Sequence, residues 1–202
     1  MIQVKNSKTG FALLISMIVV GVVVSVGLSI LELTIKQLAL ATNSKDSEIA
    51  LHAANAGLEC AQYWRNKEFT KFENGDTVSA TCFGNAPAYT KSHIGDDVSS
   101  ASGVTADLGN AYKYSYEFDW GTPSVDERCS VITMLILVSD NESTGGVRVD
   151  DISDFLSGYD NNTVKTCDPG GRCTFTSVQG YNKKCSDKGS FGTIQREVLL
   201  ES

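Results

Sequence analysis

The sequence lacks the short motifs that mark the commonest enzyme sites. It contains no G-x-S-x-G turn, no P-loop, no dinucleotide-binding glycine pattern and no H-E-x-x-H zinc motif. Histidine is scarce, and the two present, His52 and His93, lie far from the later cysteines in the sequence. No pattern of residues supports catalysis, so we expect neither an enzyme nor a bound cofactor.

Positive charge is also in short supply. The chain has 17 basic and 24 acidic side chains, a formal net charge of -7. An acidic surface repels a phosphate backbone, so nonspecific nucleic-acid binding by the whole chain is disfavoured. A local basic cluster is the exception, and its ordinary interpretation is a solvated face. The cluster comprises Lys165, Arg172, Lys183, Lys184, Lys188 and Arg196.

The six cysteines all follow the most apolar part of the chain. They are Cys60, Cys82, Cys129, Cys167, Cys173 and Cys185, and no C-x-x-C pair occurs among them. An even number of cysteines in an exported domain predicts disulfides, although six cysteines permit 15 pairings. Free buried thiols and a zinc site are the alternatives, and the lack of a C-x-x-C pair and the distance of both histidines from Cys167 and Cys173 weigh against zinc. We therefore predict disulfides and no metal.

Residues 11–31 form a run of 21 residues without a charged side chain. As a helix this run is about 32 Å long, enough to span the hydrocarbon core of a bilayer. Lys5 and Lys8 precede it, which predicts a cytoplasmic N-terminus and export of the residues from 43 onward. A cleavable secretory signal has a shorter apolar core of about 7–15 residues and a small-x-small exit site. The run fits a retained membrane helix better.

The helical pattern does not end with the apolar run. Residues 31–64 contain no proline and a single glycine, Gly57, and are rich in Ala, Leu, Glu and Gln. An apolar stripe at helical spacing comprises Ile49, Ala53, Ala56, Cys60 and Trp64. We predict one long helix whose second part packs on a domain, with residues 43–46 as the candidate position of a hinge. A membrane anchor followed by a separate head helix is the alternative.

The remaining residues indicate a β-rich head. We predict strands at residues 77–83, 112–120, 130–139, 146–150, 174–180 and 193–200, a short helix or turn at residues 150–158, and polar loops at residues 84–108, 139–146 and 160–188. The expected fold class is α+β, with a long N-terminal helix on a mainly antiparallel sheet. The alternating aromatic row from Tyr112 to Trp120 is interpreted as the core-facing side of a strand, with a ligand-stacking platform as the alternative.

The leader and apolar helix resemble the class III prepilins of type IV pili and type II secretion. The residues that carry the resemblance are Lys8-Thr9-Gly10 followed by Phe11 and the apolar run FALLISMIVVGVVVSVGLSIL. The later ALHAANAGLECAQYW is similar to the A-x-x-A-A-x-A-G/A-L segment of PilX-type minor pilins. The resemblance covers about residues 5–65, roughly a third of the chain.

That resemblance implies a processing site and a set of partners. Prepilin peptidase would cut between Gly10 and Phe11, and the new amine of Phe11 would be methylated. The implied organisation is a leader at residues 1–10, a transmembrane and filament-core half-helix at 11–42, an amphipathic half-helix at 43–66 and an extracytoplasmic head at 67–202. The implied partners are membrane lipid before assembly, other pilin subunits, the peptidase and the pilus-assembly machinery; direct DNA binding is not expected.

The sequence departs from the pattern of major pilins at the fifth position of the implied mature chain. Major pilins carry a glutamate there, whereas this chain has Ile15, and Glu32 is its first acidic residue after the cut. The proline commonly found further along the pilin helix is also absent. The departure indicates a minor or tip subunit, stored in the cytoplasmic membrane and then displayed on a surface pilus. The alternative is a single-pass anchored, extracytoplasmic binding module that does not polymerise.

Overall fold

The computed structural model of the chain describes residues 9–84, 86–94, 104–106, 109–121, 127–139 and 146–202. Residues 1–8 of the predicted leader lie outside this described part. The chain divides into two compact units, Met1–Lys45 and Asp46–Ser202. We call the second unit the head unit.

A single 59-residue helix, α1 (Thr9–Lys67), contributes to both units. The long N-terminal helix predicted from the sequence is confirmed, and α1 remains helical through residues 43–46. We call residues 11–45 the stalk half of α1 and residues 46–67 its head half. The absence of proline between them explains why no break occurs.

A mainly antiparallel arrangement of strands makes up most of the head unit. The elements after α1 are α2 (Phe69–Glu73), β1 (Ala88–His93), β2 (Val104–Ala106), β3 (Gly109–Trp120), β4 (Arg128–Ser139), β5 (Val147–Val149), β6 (Lys165–Cys167), β7 (Arg172–Tyr181) and β8 (Gln195–Glu201). The main sheet has the order β1-β3-β4-β7-β8, and a smaller sheet has the order β2-β5-β6. Every strand pairing in both sheets is antiparallel. The predicted α+β class is therefore confirmed.

The central strand β4 is covered on both faces. Ile132, Met134 and Ile136 belong to the core that also contains Cys60 and Ala61 of the head half. Leu135 and Leu137 point to a second core, formed with β5 and the residues that follow it. Burial on both faces explains the almost continuous apolar sequence of this strand, because neither face needs polar side chains.

The prediction of a strand at residues 77–83 is wrong, although its burial pattern is right. Val78 and Ala80 are buried, but the segment forms no strand and has only an isolated bridge at Cys82. Two backbone carbonyls of this segment accept hydrogen bonds from side chains outside it. The Tyr116 hydroxyl donates to the Val78 carbonyl, and the Trp64 indole donates to the Thr81 carbonyl. The alternation of buried and exposed residues in this segment therefore arises from packing against the core and not from a ladder of backbone hydrogen bonds.

Two of the predicted loops also contain strands. Residues 84–108 include β1 and β2, and residues 160–188 include β6 as well as the predicted strand that became β7. β1 lies at the edge of the main sheet and most of its side chains are exposed. An exposed edge strand needs no apolar alternation, so its sequence, AYTKSH, gives a weak strand signal.

Candidate functional site

The stalk half presents apolar side chains to every side. Each residue from 11 to 45 is exposed, and Phe11 and Met17 are exposed by 73% and 70%. Within the described part of the chain, α1 is the one helix long and apolar enough to cross a membrane, with a mean hydropathy of 2.8 in its most apolar window. A helix that is apolar all round suits lipid or a bundle of other helices.

The hydroxyl groups within this apolar surface have partners in α1 itself. Ser16 and Ser25 donate to the carbonyls three residues earlier at 2.8 Å, and Ser29 donates to the carbonyl of Ser25 at 2.9 Å. The first two charges after the apolar run pair with each other, because Lys36 Nζ lies 2.7 Å from Glu32 Oε1. Internal satisfaction of polar groups is what a hydrocarbon environment demands of a helix.

The predicted processing residues lie in the first turn of α1. Gly10 follows the first helical residue, Thr9, and the Phe11 side chain points into open space. Ile15 is 45% exposed on the same helix, where a major pilin has its glutamate. Cleavage and methylation at Gly10 and Phe11 stay predictions.

The head half lies against the main sheet at very short range. A Cβ atom placed on Gly180 of β7 would stand 2.1 Å from the Ala50 carbonyl oxygen and 2.2 Å from the Ala54 nitrogen. A Cβ on Gly57 would stand 2.7 Å from Val178 Cγ1. Glycine is therefore required on the strand so that the two backbones can approach.

A hydrogen bond joins the same two elements. The buried Ser130 hydroxyl of β4 donates to the Ala53 carbonyl at 2.7 Å, and it accepts from the Trp120 indole at 3.0 Å. The head half is thus fixed by close packing and by a bond from the sheet to its own backbone. Such a contact specifies the position of the helix along the strand.

The predicted apolar stripe is right in outline and displaced in detail. Ala53 and Cys60 are buried as expected, whereas Ile49, Ala56 and Trp64 are only half-buried. The other buried residues of the head half are Ala50, Ala54, Gly57 and Ala61. All four residues are small. The spacing of small residues therefore indicates the buried face of the head half, which a hydrophobicity pattern alone did not locate.

Three disulfides join the six cysteines, and the disulfides predicted from the sequence are present. The pairs are Cys60–Cys82, Cys129–Cys185 and Cys167–Cys173. The first attaches the head half to the segment after α2, and the second links β4 to the loop after β7. Glu117 lies near the second pair, but its two sulfurs are bonded to each other and offer no thiolate to a metal.

The middle of the aromatic row of β3 belongs to the core, as the sequence analysis favoured, while Tyr112 and Trp120 at its two ends are half-buried. Tyr114, Tyr116 and Phe118 are buried by 98% or more. The Tyr114 hydroxyl bonds the carbonyls of Phe72 and Asp76, which holds the segment after α1 against the sheet. Burial raises the pKa of both tyrosines well above the ordinary value.

The basic cluster is spread over several ion pairs and hydrogen bonds. Lys184 and Lys188 pair with Asp187 and Glu117. Lys165 pairs with Glu201 and lowers the pKa of that carboxyl through their hydrogen bond. The other members contact neutral or acidic groups: Lys183 bonds Ser190 and Phe191, Arg172 bonds Glu73, and Arg196 bonds Ser47. These contacts favour the interpretation of the cluster as surface structure.

A groove of about 280 Å³ lies between the head half and the strands β7 and β8. Arg65 lines this groove and donates to Thr174 at 2.9 Å and to Glu73 at 2.9 Å. Arg172 completes the network at 2.7 Å from Glu73. Sequence reasoning missed this network because its members are separated by up to 107 residues, and no local pattern relates them.

Comparisons with known proteins do not assign the chain to a family. No protein-family model matches it, and neither a curated protein nor a solved structure is significantly similar to it.

Proposed function

We propose that this chain is a minor pilin-like structural subunit of a type IV pilus or a related secretion or DNA-uptake filament. It is stored in the cytoplasmic membrane through the stalk half, with its N-terminus inside and the head unit outside. It then joins the filament through the same helix. Its role is assembly and presentation of the head unit.

The continuous helix α1 is the observation that carries this proposal. A plain membrane anchor needs an apolar span and no more, whereas here the same helix continues into the core of an antiparallel head unit. The stalk half remains apolar beyond the first span, with Leu38 and Leu40 exposed by 66% and 70%. In a filament, helices of neighbouring subunits would cover this surface in place of lipid.

The chemistry of the two compartments supports the proposed orientation. Disulfides form and persist on the oxidising side of a membrane, and all six cysteines of the head unit are paired. Ile15 supports a minor or tip position, because the charge thought to recruit a neighbouring subunit in major pilins is missing.

The N-terminus of the membrane-extracted protein tests the proposal. The full chain is expressed in a bacterium that possesses a prepilin peptidase, and intact mass and N-terminal sequence are measured. We expect a chain that begins at methylated Phe11. Gly10→Val should keep the leader, while the matched Gly21→Val, which faces open space, should be processed normally. A native chain that still begins at Met1 or Ile2 would refute the proposal.

Fractionation separates the proposal from the anchored, non-polymerising module. Surface filaments are sheared from cells and collected, and the chain is quantified in filament and membrane fractions. A pilin-like subunit appears in both fractions. A chain that is processed yet confined to the membrane would contradict filament assembly while leaving the processing step intact.

A further inference from the structure

The strand β8 lies at an edge of the main sheet, so half of its backbone groups face away from β7. Its antiparallel register with β7 is continuous over the strand, and Ser202 then exchanges two backbone hydrogen bonds with Thr174 at 2.7 and 3.0 Å. Hydrogen-bonded and non-hydrogen-bonded pairs alternate along an antiparallel ladder. The even-numbered residues of β8 therefore bond β7. The outward N–H and C=O groups belong to the odd-numbered residues Gln195, Glu197, Leu199 and Glu201.

These outward groups leave the edge of β8 open. Among the residues that the structure describes, no backbone or side-chain group bonds the N–H or C=O of residues 195, 197, 199 and 201. β8 also lacks the proline, the lysine and the bulge with which proteins commonly close an edge strand. An extended peptide can continue the ladder of such an edge, so β8 is suited to accept an added strand.

The groove of about 280 Å³ lies beside this edge, on the face of the sheet that contacts the head half. We call this face the α1 face. Leu200 of β8 lines the groove together with Gln62, Arg65 and Asn66 of the head half. Gln62 and Asn66 are exposed, and their amides have no hydrogen-bond partner within the described part of the chain. A side chain of an added strand next to Leu200 would therefore enter a space with apolar contact and free N–H donors.

Both ends of the edge carry surplus positive charge on the α1 face. Arg196, near the beginning of β8, donates to Ser47 and pairs with no carboxylate among the described residues. Near the other end, Arg65 and Arg172 share the single carboxylate of Glu73. An added strand with an acidic side chain at each end of this face would complement both charges.

The opposite face of β8 has the opposite charge. Glu197 accepts hydrogen bonds from Ser157 and Ser177, but from no cationic group of the described residues. Pairing β8 with a second copy of itself in one continuous sheet would put both Arg196 side chains on one face and both Glu197 side chains on the other. Like charges would then accumulate on each face, which disfavours that pairing. The charges fit a segment of another protein better.

We propose that β8 accepts an extended segment of another protein as a sixth strand of the main sheet, and that this segment carries two acidic side chains, four residues apart, with an apolar one between them. The spacing follows from β8, where Leu200 at the groove lies four residues after Arg196, and Val198 lies halfway between them on the same face. The inference goes beyond the proposed function and does not depend on membrane storage or filament assembly, because every residue that it uses belongs to the head unit.

Binding of two synthetic peptides to the full chain in detergent tests the charge pattern. The labelled peptide TETLKET places Glu, Leu and Glu on the α1 face and Lys on the other, and the control TKTLEKT exchanges the acidic and basic positions. We expect fluorescence anisotropy to show binding of TETLKET that is about tenfold tighter than binding of TKTLEKT. Arg196→Glu should remove this preference. The matched Arg148→Glu, which makes the same change of charge on β5, should keep it.

Hydrogen exchange of the backbone amides, measured by NMR, tests the addition of a strand. With TETLKET bound, the amides of residues 197, 199 and 201 should exchange about tenfold more slowly, while those of residues 196, 198 and 200, which already bond β7, should change little. Leu199→Pro removes one outward N–H and breaks no bond of the β7 ladder, so it should weaken peptide binding about tenfold. Leu199→Ala keeps the N–H and should retain binding.

Several results would overturn the inference. They are equal affinity for the two peptides, no binding of either peptide up to about 1 mM, and unchanged binding in Leu199→Pro. Self-association of the chain that Leu199→Pro abolishes would assign the edge to a second copy instead. If near-UV circular dichroism shows that Leu199→Pro unfolds, exchange in the unmodified chain decides the question. Peptide-induced protection that does not alternate along residues 195–201 would contradict an added strand.

Discussion

The two halves of α1 are both free of proline, but they differ in the size and the exposure of their side chains. The stalk half exposes large side chains on all sides, mainly Leu, Val and Ile. The head half buries small ones, including Ala50, Ala54 and Gly57, against a strand that itself carries Gly180. Large apolar side chains on all sides of a helix give it a surface that lipid or other helices can pack against. Small side chains let the backbone of the helix approach a sheet directly.

This difference shows that hydropathy and side-chain volume carry separate information about a helix. Hydropathy marks residues 11–31 as a candidate membrane span, because no charge interrupts the apolar run. Volume identifies where the head half contacts its own domain. Experiments that alter one half while sparing the other can therefore test the division.

Among the changes that distinguish the two halves of α1, the largest effect is expected from the disulfide that attaches the head half. Replacing Cys60 and Cys82 together by alanine opens a link with a sequence separation of 22 residues. Chain entropy then predicts a loss of about 3.5 kcal/mol in the free energy of unfolding of the head unit. Denaturant unfolding of the detergent-solubilised full chain, followed by near-UV circular dichroism, measures the loss.

The short disulfide provides the control for this experiment. Removing Cys167 and Cys173, which are separated by 6 residues, should cost only about 2 kcal/mol by the same relation. Membrane integration of the stalk half should be the same in both variants. Equal losses of stability would contradict the dependence on loop length, and release from the membrane would contradict the separation between the halves.

A charge in the stalk half should reduce membrane insertion of the chain without changing the stability of the head unit. Val22→Arg places a guanidinium in the middle of the apolar run, at a cost to insertion of about 3 kcal/mol. Leu51→Arg is the matched change, because Leu51 is 43% exposed and lies in the head half. The membrane-integrated fraction after a carbonate wash should fall for Val22→Arg only. A similar fall for both variants would mean that insertion depends on the head half.

Alkaline pH should act on the head unit and spare the stalk. The raised pKa values of Tyr114 and Tyr116 mean that their neutral forms stabilise the folded head unit, and this contribution is full below about pH 10, where unfolded tyrosine ionises. Between pH 9 and 11 the free energy of unfolding should fall by roughly 2 to 3 kcal/mol. Residues 11–31 contain no titratable side chain, so helix content in the stalk should persist. Joint loss of both signals would contradict this.

Sequence reasoning succeeded where one residue pattern has one physical cause. Periodicity and the lack of proline predicted α1, and continuous apolarity predicted β4, because its two faces are both covered. It failed at residues 77–83, where alternation arises from packing without strand pairing, and at β1, whose exposed edge carries no apolar pattern. The network of Arg65, Glu73 and Arg172 could not be predicted, since only the folded topology brings these residues together.

The contact between the head half and β7 can be tested from the strand side. Gly180→Ala puts a methyl group against backbone atoms of Ala50 and Ala54, which cannot move without displacing the helix. We expect a loss of about 2 kcal/mol in the free energy of unfolding of the head unit. Gly189→Ala, which has open space around it, should change that value by less than about 0.5 kcal/mol. Comparable losses of stability for Gly180→Ala and Gly189→Ala would contradict a close backbone contact between the head half and β7 at Gly180.

The smallest effect gives the sharpest comparison, because it makes one substitution in both halves of the same helix. In a helix, alanine is favoured over glycine by about 1 kcal/mol, and this gain is available at Gly27 and at Gly57 alike. At Gly57 the added methyl meets Val178 Cγ1 at 2.7 Å and Ser130 Cβ at 3.1 Å, so overpacking outweighs the gain and leaves a net loss of about 1 kcal/mol.

At Gly27 nothing described lies within 4 Å of the added methyl, so Gly27→Ala should leave unfolding of the head unit unchanged and keep or raise helix content. Thermal unfolding of both variants in detergent, read by far- and near-UV circular dichroism, separates the two signals. If Gly57→Ala were neutral, the sheet would accommodate a larger helix face, and small side-chain volume would lose its meaning as the mark of the head half. If Gly27→Ala disturbed the head unit, stability would pass along α1, and the two halves would have to be treated as one element.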